Sequence, residues 1–391
     1  MTNTLMNTYA RQNIALERGE GVYVWDTEGN KYLDALGGIA VCALGHAHPA
    51  VTNAICNQAS QLIHTSNIYR IPAQEKLAEK LCELSSMENV FFGNSGAEAN
   101  EAALKLARLF GHSKGIAAPE IIVADHSFHG RTLATLSATG NRKIQAGFEP
   151  LVHGFIRIPF NDIEAIQQVA SNSKNVAAVL VEPIQGEGGI NIPDTEYLQG
   201  IRKLCDENDW LMMLDEIQTG VCRTGKWFAH QHYNLQPDVM TVAKSLGNGM
   251  PIGACLAKGE AAGLFQPGNH GSTYGGNPLA CHVALAVIQT LENINACEQA
   301  TKMGEYIIDE FEKTLGDNDD VIDIRGSGLM IGIELDRPCT ELVANSIDHG
   351  LLINVTAKNT IRLLPPLIIS KNEADELVEK LSHLISQFLL K

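Results

Sequence analysis

A chain of 391 residues with 45% hydrophobic content has the material for two domains, each with a core of its own. Asp and Glu number 45 against 29 Lys and Arg, a formal net charge of −16, which argues against a general nucleic-acid or anionic-membrane surface and requires any anionic ligand to find a local basic pocket. The nine scattered cysteines lack a C-x-x-C pair and read as reduced thiols, Met1 to Arg11 lacks the apolar core of a signal peptide, and no run reaches the ~18 apolar residues of a membrane helix, so a cytoplasmic protein is expected.

Gly21 to Asp26 alternates in polarity, Thr27 to Asn30 carries turn chemistry, and Lys31 to Leu36 continues the alternation, which predicts a hairpin. Gly45-His-Ala-His-Pro49 breaks this pattern before a helical stretch from Ala50 to Leu62. His46 and His48 lack a third ligand nearby, so a turn is expected there and no metal. Asn89 to Gly93 is a short apolar strand, followed at once by Asn94-Ser-Gly-Ala-Glu-Ala-Asn-Glu-Ala, which opens a helix with a small-residue face. At such a helix start the first amides lack partners, and Ser95, Gly96 and Ala97 are small enough for an anion to rest on the backbone; an ordinary capped helix fits equally well. No G-x-x-x-x-G-K-[ST] or strand-coupled G-x-G-x-x-G accompanies it.

Glu120 to Asp125 predicts the next strand, leading to Ser-Phe128-His-Gly-Arg131-Thr. Here an aromatic ring suits a flat heteroaromatic ligand and an arginine suits a carboxylate, although a plain loop is the alternative. Strands follow at Gly154 to Phe160 and Val176 to Val181, the second ending in Glu182-Pro-Ile-Gln-Gly-Glu187. A helix is read from Tyr197 to Asn208, and a buried strand from Trp210 to Leu214 ends at Asp215-Glu216-Ile217-Gln218. A carboxylate directly after an apolar strand seeks a cationic partner. The apolar run from Asp238 delivers Lys244 into the turn Ser-Leu-Gly-Asn-Gly-Met-Pro-Ile-Gly253, 29 residues after Asp215. That interval is about one helix-containing crossover, so both residues are expected at the carboxyl edge of a parallel sheet, where ligands bind. Burial there would lower the lysine's pKa and make its neutral amine accessible for attack on an aldehyde. Gly253 to Lys258 is another strand, and Ser272 and Thr273 sit in a glycine-rich loop before a long helical region. Paired strands at Val321–Gly326 and Leu329–Leu335, two more at Leu351–Asn354 and Ile361–Leu364, and a closing helix from Asn372 to Leu390 read as a second, α+β domain that the N-terminal hairpin joins.

An anion seat, a stacking aromatic, a strand-end aspartate and a lysine anchor are together what pyridoxal phosphate requires. The stretches quoted, with Gly271-Ser-Thr-Tyr-Gly-Gly-Asn-Pro-Leu279, resemble the class III aminotransferases among the fold type I pyridoxal-phosphate enzymes over nearly the whole chain. The resemblance implies an α/β fold in which a mainly parallel seven-stranded sheet lies between helices in a large domain (51–275). A smaller α+β domain (276–391) would be completed by residues 1–50. It implies that Lys244 anchors the cofactor aldehyde and shuttles a proton, that Asp215 pairs with the ring nitrogen, that Gln218 sits near the phenolic oxygen and that Phe128 stacks on the ring. Ser95, Gly96 and Ala97 would hold phosphate, Glu216 and Ile217 would complete the cofactor site, and Thr273 would come from the neighbouring subunit of a homodimer. Arg131 and Ser272 would receive the α-carboxylate of an N-acylated donor such as acetylornithine, and Arg362 the carboxylate of 2-oxoglutarate, with Glu187 neutralising it while the donor is bound. Ile39 occupies the region where relatives acting on free ornithine carry a tyrosine, and an apolar residue suits an acylated nitrogen. Donors bearing succinyl groups, free ornithine and 4-aminobutyrate remain sibling alternatives, as does an aminomutase. Ser245 and Met250 replace a glycine and a smaller aliphatic that are more usual there.

Overall fold

The computed structural model describes residues 4–390. The chain opens with β1 (Leu16–Glu20), β2 (Tyr23–Asp26) and β3 (Lys31–Asp34), joined antiparallel, with Tyr23 facing Leu33 across the β2–β3 hairpin. A short helical turn, α1 (Gly37–Ala40), follows; Gly37, Gly38, Ile39 and Ala40 all lie at positive φ, which strains the two non-glycine residues. Next come α2 (Pro49–Ala59) and α3 (Pro72–Ser85), each with proline in its first turn, where no amide hydrogen is needed.

The large sheet is laid down by β4 (Asn89–Gly93), α4 (Gly96–Ser113), β5 (Glu120–Ala124), the short α5 (Leu133–Ala138) and α6 (Arg142–Gln145), β6 (Phe155–Ile158), α7 (Ile163–Asn172), β7 (Val176–Val181), α8 (Thr195–Asn208), β8 (Leu211–Asp215), β9 (Val239–Val242) and β10 (Gly253–Ala257). Its order is β4-β10-β9-β8-β7-β5-β6. Every pairing is parallel except those of β10, which runs against both β4 and β9. The connection from β9 to β10 is too short for a crossover, so β10 must turn back. The inner strands β7 and β8 are buried at every residue, which explains their unbroken apolar runs. The small residues and Phe110 of α4 cover one face, while Ile166 of α7 with Tyr197, Leu198 and Ile201 of α8 covers the other.

Beyond the sheet, α9 (Pro278–Asn293) and α10 (Ala296–Leu315) lead to β11 (Val321–Ser327), β12 (Met330–Leu335), α11 (Leu342–Asp348), β13 (Leu351–Leu352), β14 (Asn354–Thr356), β15 (Thr360–Leu363) and α12 (Lys371–Leu389). The stretch Leu351–Asn354, expected as one strand, divides between two sheets: β13 runs parallel to β3, whereas β14 joins β11-β12-β15-β14 through β15. The expected helix in the β8–β9 crossover is also replaced. That segment is a buried, turn-rich path with one 3₁₀ turn at Ala229–Tyr233, along which Arg223 and Phe228 are fully buried. All nine cysteines are free thiols, and no helix among the described residues is long and apolar enough to cross a membrane.

Candidate active site

Because β7, β8 and β9 are parallel neighbours, their carboxyl ends deliver Glu182, Asp215 and Lys244 to one edge; Asp215 is in register with Thr241, three residues before the lysine. There a cavity of about 390 Å³ is lined by Asn94, Ser95, Gly96, Ala97, Phe128, Arg131, Glu182, Asp215, Ile217, Gln218 and Lys244 among others. Lys244 begins a 3₁₀ turn with φ of 41°. Burial, assisted by the Arg362 charge, lowers its pKa to about 8, while Glu187, Asp215 and Glu182 act in the opposite sense. The amine is therefore partly neutral near physiological pH. Glu182 is pushed well above the usual carboxylate range, first by burial and then by the Asp215 charge, against the opposing amides of Phe128 and Gly186.

The start of α4 is built to leave its first amides open. Ser95 caps the amide of Glu98 at 3.2 Å, and the amides of Gly96 and Ala97 precede the first intrahelical bond and border the cavity. Close approach is why glycine stands at two points. A Cβ on Gly96 would lie 2.8 Å from Ile217 Cδ1, and one on Gly253 would lie 2.2 Å from the Ser95 carbonyl oxygen. This cradle suits a phosphate. Phe128 borders the same space, with the Arg131 guanidinium 5.6 Å from its ring centre. Arg131 is exposed and forms no ion pair with a described residue, which leaves it available to a carboxylate.

Arg362, on β15, is 1% exposed. Its Nη1 meets Glu187 Oε1 at 2.6 Å and Gln218 Oε1 at 3.3 Å, and its Nη2 donates to Asn354 Oδ1 at 2.8 Å. Gln218 thus links the cavity to the arginine–glutamate pair. Glu187 is itself held by a hydrogen bond from the Thr356 hydroxyl to its carbonyl. Ser272 accepts from Asn94 Nδ2 at 3.1 Å beside the cavity, whereas Thr273 is exposed on the same loop and does not line the cavity. Glu216 does not enter the cavity. Its carboxylate accepts from the amides of Ala229 and His230 and from the Thr219 hydroxyl, so it organises the buried crossover instead. The two histidines near the N-terminus are structural: His46 pairs with Asp34 at 2.8 Å and His48 caps α2. No cluster of metal-ligating side chains occurs among the described residues.

Ser245 and Met250 both have clear places: the Ser245 hydroxyl donates to the Ala40 carbonyl at 2.8 Å, tying the strained segment before α2 to the lysine turn, and Met250 lines the cavity. Sequence reasoning missed Asn100, which contacts Asp215, and gave His129 no role. A polar side chain on the otherwise small, buried face of α4 was the available signal for Asn100.

Comparison with known proteins gives the chain's relatives. The family model for aminotransferase class-III matches residues 6–385. The acetylornithine aminotransferase of Nitrosomonas europaea is 56% identical over 385 residues, covering 98% of both chains. That of Methanothermobacter thermautotrophicus is 50% identical over 98% of this chain and 96% of its own. Among solved structures, the ornithine aminotransferase of Toxoplasma gondii ME49 superimposes with a TM-score of 0.95 at 33% identity, covering 99% of this chain and 94% of that one. The acetylornithine aminotransferase of Elizabethkingia anophelis does so at 0.87 and 37% identity, covering 98% and 96%.

Proposed function

This chain belongs to the class-III aminotransferases, and on that premise we propose that it transfers the δ-amino group of N2-acetyl-L-ornithine to 2-oxoglutarate, giving N-acetylglutamate 5-semialdehyde and glutamate, a step of arginine biosynthesis. The carrying observation is the convergence of Lys244, Asp215 and the open amides of α4 on one cavity, in a chain so similar along its length to acetylornithine aminotransferases. The cavity fits pyridoxal phosphate, which when bound supplies an aldehyde and an electron-accepting ring.

The chain's own residues then divide the work. Gly96 and Ala97 hold phosphate through their amides, Phe128 and Ile217 enclose the ring, and Gln218 supplies polar contact beside it. Asp215 would face the ring nitrogen and support a proton there. Lys244, with its lowered pKa, would be the amine that holds the cofactor aldehyde, and its Nζ would carry a proton to and from the donor carbon. Arg131, with Ser272 alongside, binds the donor's α-carboxylate bidentately. Glu187 masks Arg362 while the donor is present; its release exposes the guanidinium to the second carboxylate of 2-oxoglutarate. This pair favours a two-substrate transfer over an aminomutase, which needs no separate acceptor.

The protein acts as a cytoplasmic homodimer in this reading. The exposed Thr273 would join the partner's phosphate seat, and exposed Ile68, Tyr69 and Tyr274 support a subunit contact on that side. Pairing of β3 with β13 supports a division in which residues 1–50 act with 276–391 and residues 51–275 form the cofactor domain. The test is a half-reaction panel: holoenzyme mixed separately with acetylornithine, succinylornithine, ornithine and 4-aminobutyrate, following the bound cofactor's absorbance. Acetylornithine is expected to react fastest. A clear lead for 4-aminobutyrate or free ornithine would overturn the donor assignment.

A further inference from the structure

An ionised carboxylate at the end of a buried strand needs donors around it. Asp215 has three. Its Oδ2 accepts from Asn100 Nδ2 at 2.8 Å and from His129 Nδ1 at 2.8 Å, and among the described residues its Oδ1 accepts only from the Ile217 amide, at 3.1 Å. Asn100 has no freedom to turn over. Its Nδ2 also donates to the His129 carbonyl at 2.8 Å, and its Oδ1 accepts from the Thr241 hydroxyl at 2.7 Å. A flipped amide would set oxygen against the carboxylate and waste the hydroxyl. His129 is likewise fixed, by its backbone amide on the Thr139 hydroxyl at 2.9 Å. Its ring is fully enclosed, and among the described residues Nε2 has no partner, so the bond from Nδ1 to Asp215 is the ring's one polar contact there.

We propose that Asn100 and His129 are positioning residues that aim Asp215: together they saturate Oδ2, with Thr241 selecting the orientation of the Asn100 amide, and leave Oδ1 as the oxygen free to meet the cofactor's ring nitrogen. The assignment rests on the functional reading above and adds to it. Four separate elements meet here: α4, the loop after β5, β8 and β9. The carboxylate's orientation is thereby coupled to the helix that carries the anion seat. Loss of either donor leaves Oδ2 under-satisfied and the carboxylate free to turn away from the ring nitrogen, which weakens its support for charge there.

The test uses holoenzyme variants His129→Leu, which removes the donor, His129→Asn, whose amide restores one near the position of Nδ1, and Thr241→Val, which removes only the hydroxyl orienting Asn100. Two readouts are taken: the acid-side pH midpoint of the bound cofactor's absorbance, and single-turnover kinetics of the donor half-reaction. For His129→Leu the midpoint is expected to rise by about one unit and the turnover rate to fall about tenfold, the loss of one charge-assisted hydrogen bond, with apparent donor affinity within about threefold. His129→Asn should recover most of both, and Thr241→Val should shift both in the same direction by less. A His129→Leu enzyme with unchanged midpoint and near-normal turnover would overturn the proposal, as would equal impairment of the leucine and asparagine variants. If His129→Leu does not fold, Thr241→Val decides: an unchanged midpoint there overturns it. Because the absorbance titration needs no substrate, a wild type that binds cofactor but accepts no acylated donor would sink the functional reading alone.

Discussion

Replacing Glu187 with glutamine probes how one cavity serves both a donor without a second carboxylate and a dicarboxylate acceptor. Glu187 Oε1 lies 2.6 Å from Arg362 Nη1; the arginine side chain is 1% exposed and the glutamate side chain 37%. At an effective dielectric constant near 20, unit charges this close attract by about 4–6 kcal/mol. Solvent reaching Glu187 and the entropy of fixing its side chain reduce the useful part to about 1–2 kcal/mol, a factor of ~5–30. Glutamine keeps the shape and an acceptor oxygen but not the charge, and Asn354 and Gln218 cannot replace it because both are neutral. The donor half-reaction, in which Arg362 must be masked, is therefore expected to slow by about 5–30-fold, whereas the 2-oxoglutarate half changes by less than about threefold. Stopped-flow absorbance of the bound cofactor measures each half separately. An equal or larger loss in the 2-oxoglutarate half would refute the masking argument.

Lys244→Ala should leave a folded protein in which borohydride fixes no cofactor to the chain. Lys244 titrates at about 8 when folded against the ordinary 10.5, so its charged form opposes folding fully below pH 8, and the opposition fades as pH rises to 10.5. The alanine apoprotein should accordingly exceed wild-type apoprotein in stability by about 1–3 kcal/mol at neutral pH, with the gap closing by pH 10.5; melting temperatures across that range check the sign. Gly253→Ala would press a methyl group to within 2.2 Å of the Ser95 carbonyl, a contact only backbone movement can relieve. It should cost about 1–3 kcal/mol of stability and weaken cofactor retention roughly tenfold, measurable by denaturant titration and equilibrium dialysis. Glu182→Gln should be nearly neutral for stability, within about 1 kcal/mol, because burial already favours the uncharged acid. A loss above about 3 kcal/mol would show that the native site depends on the charge.

The chemistry of the site was legible wherever one short segment carried both the residue and its setting. Asp215 and Lys244 each follow an apolar run, and parallel pairing alone brings them together. Gly96 follows a strand and opens a helix, so the open amides of the proposed anion seat were visible as a local pattern. Residues whose meaning depends on long-range partners were harder to read. Asn100 looks like one polar position in an alanine-rich helix until β8 and β9 place Asp215 and Thr241 against it. Glu216, adjacent to a site residue, turns the other way because successive side chains leave a strand end on opposite faces. Leu351–Asn354 reads as one apolar strand, since nothing local records that its two halves pair with strands more than three hundred residues apart in the chain. The segment between β8 and β9, expected to hold a helix, likewise has distant partners: Arg223 Nη1 donates to the carbonyls of Leu329 and Pro365, each more than a hundred residues away.

Helix α4 carries the open amides at Gly96 and, four residues later, the amide that supports Asp215. At 1.5 Å of rise per residue these lie about 6 Å apart along one rigid rod, so under the proposed function a single object would gauge the ligand from its anionic end to its ring. Inserting one residue between Gly96 and Asn100 would swing the asparagine by about 100° around the helix, away from the carboxylate, without disturbing the seat. Substitutions can be absorbed along this turn, but its length cannot vary. Beyond Asn100 the helix is free of that restriction, and length changes near Ser113 would leave the gauge intact.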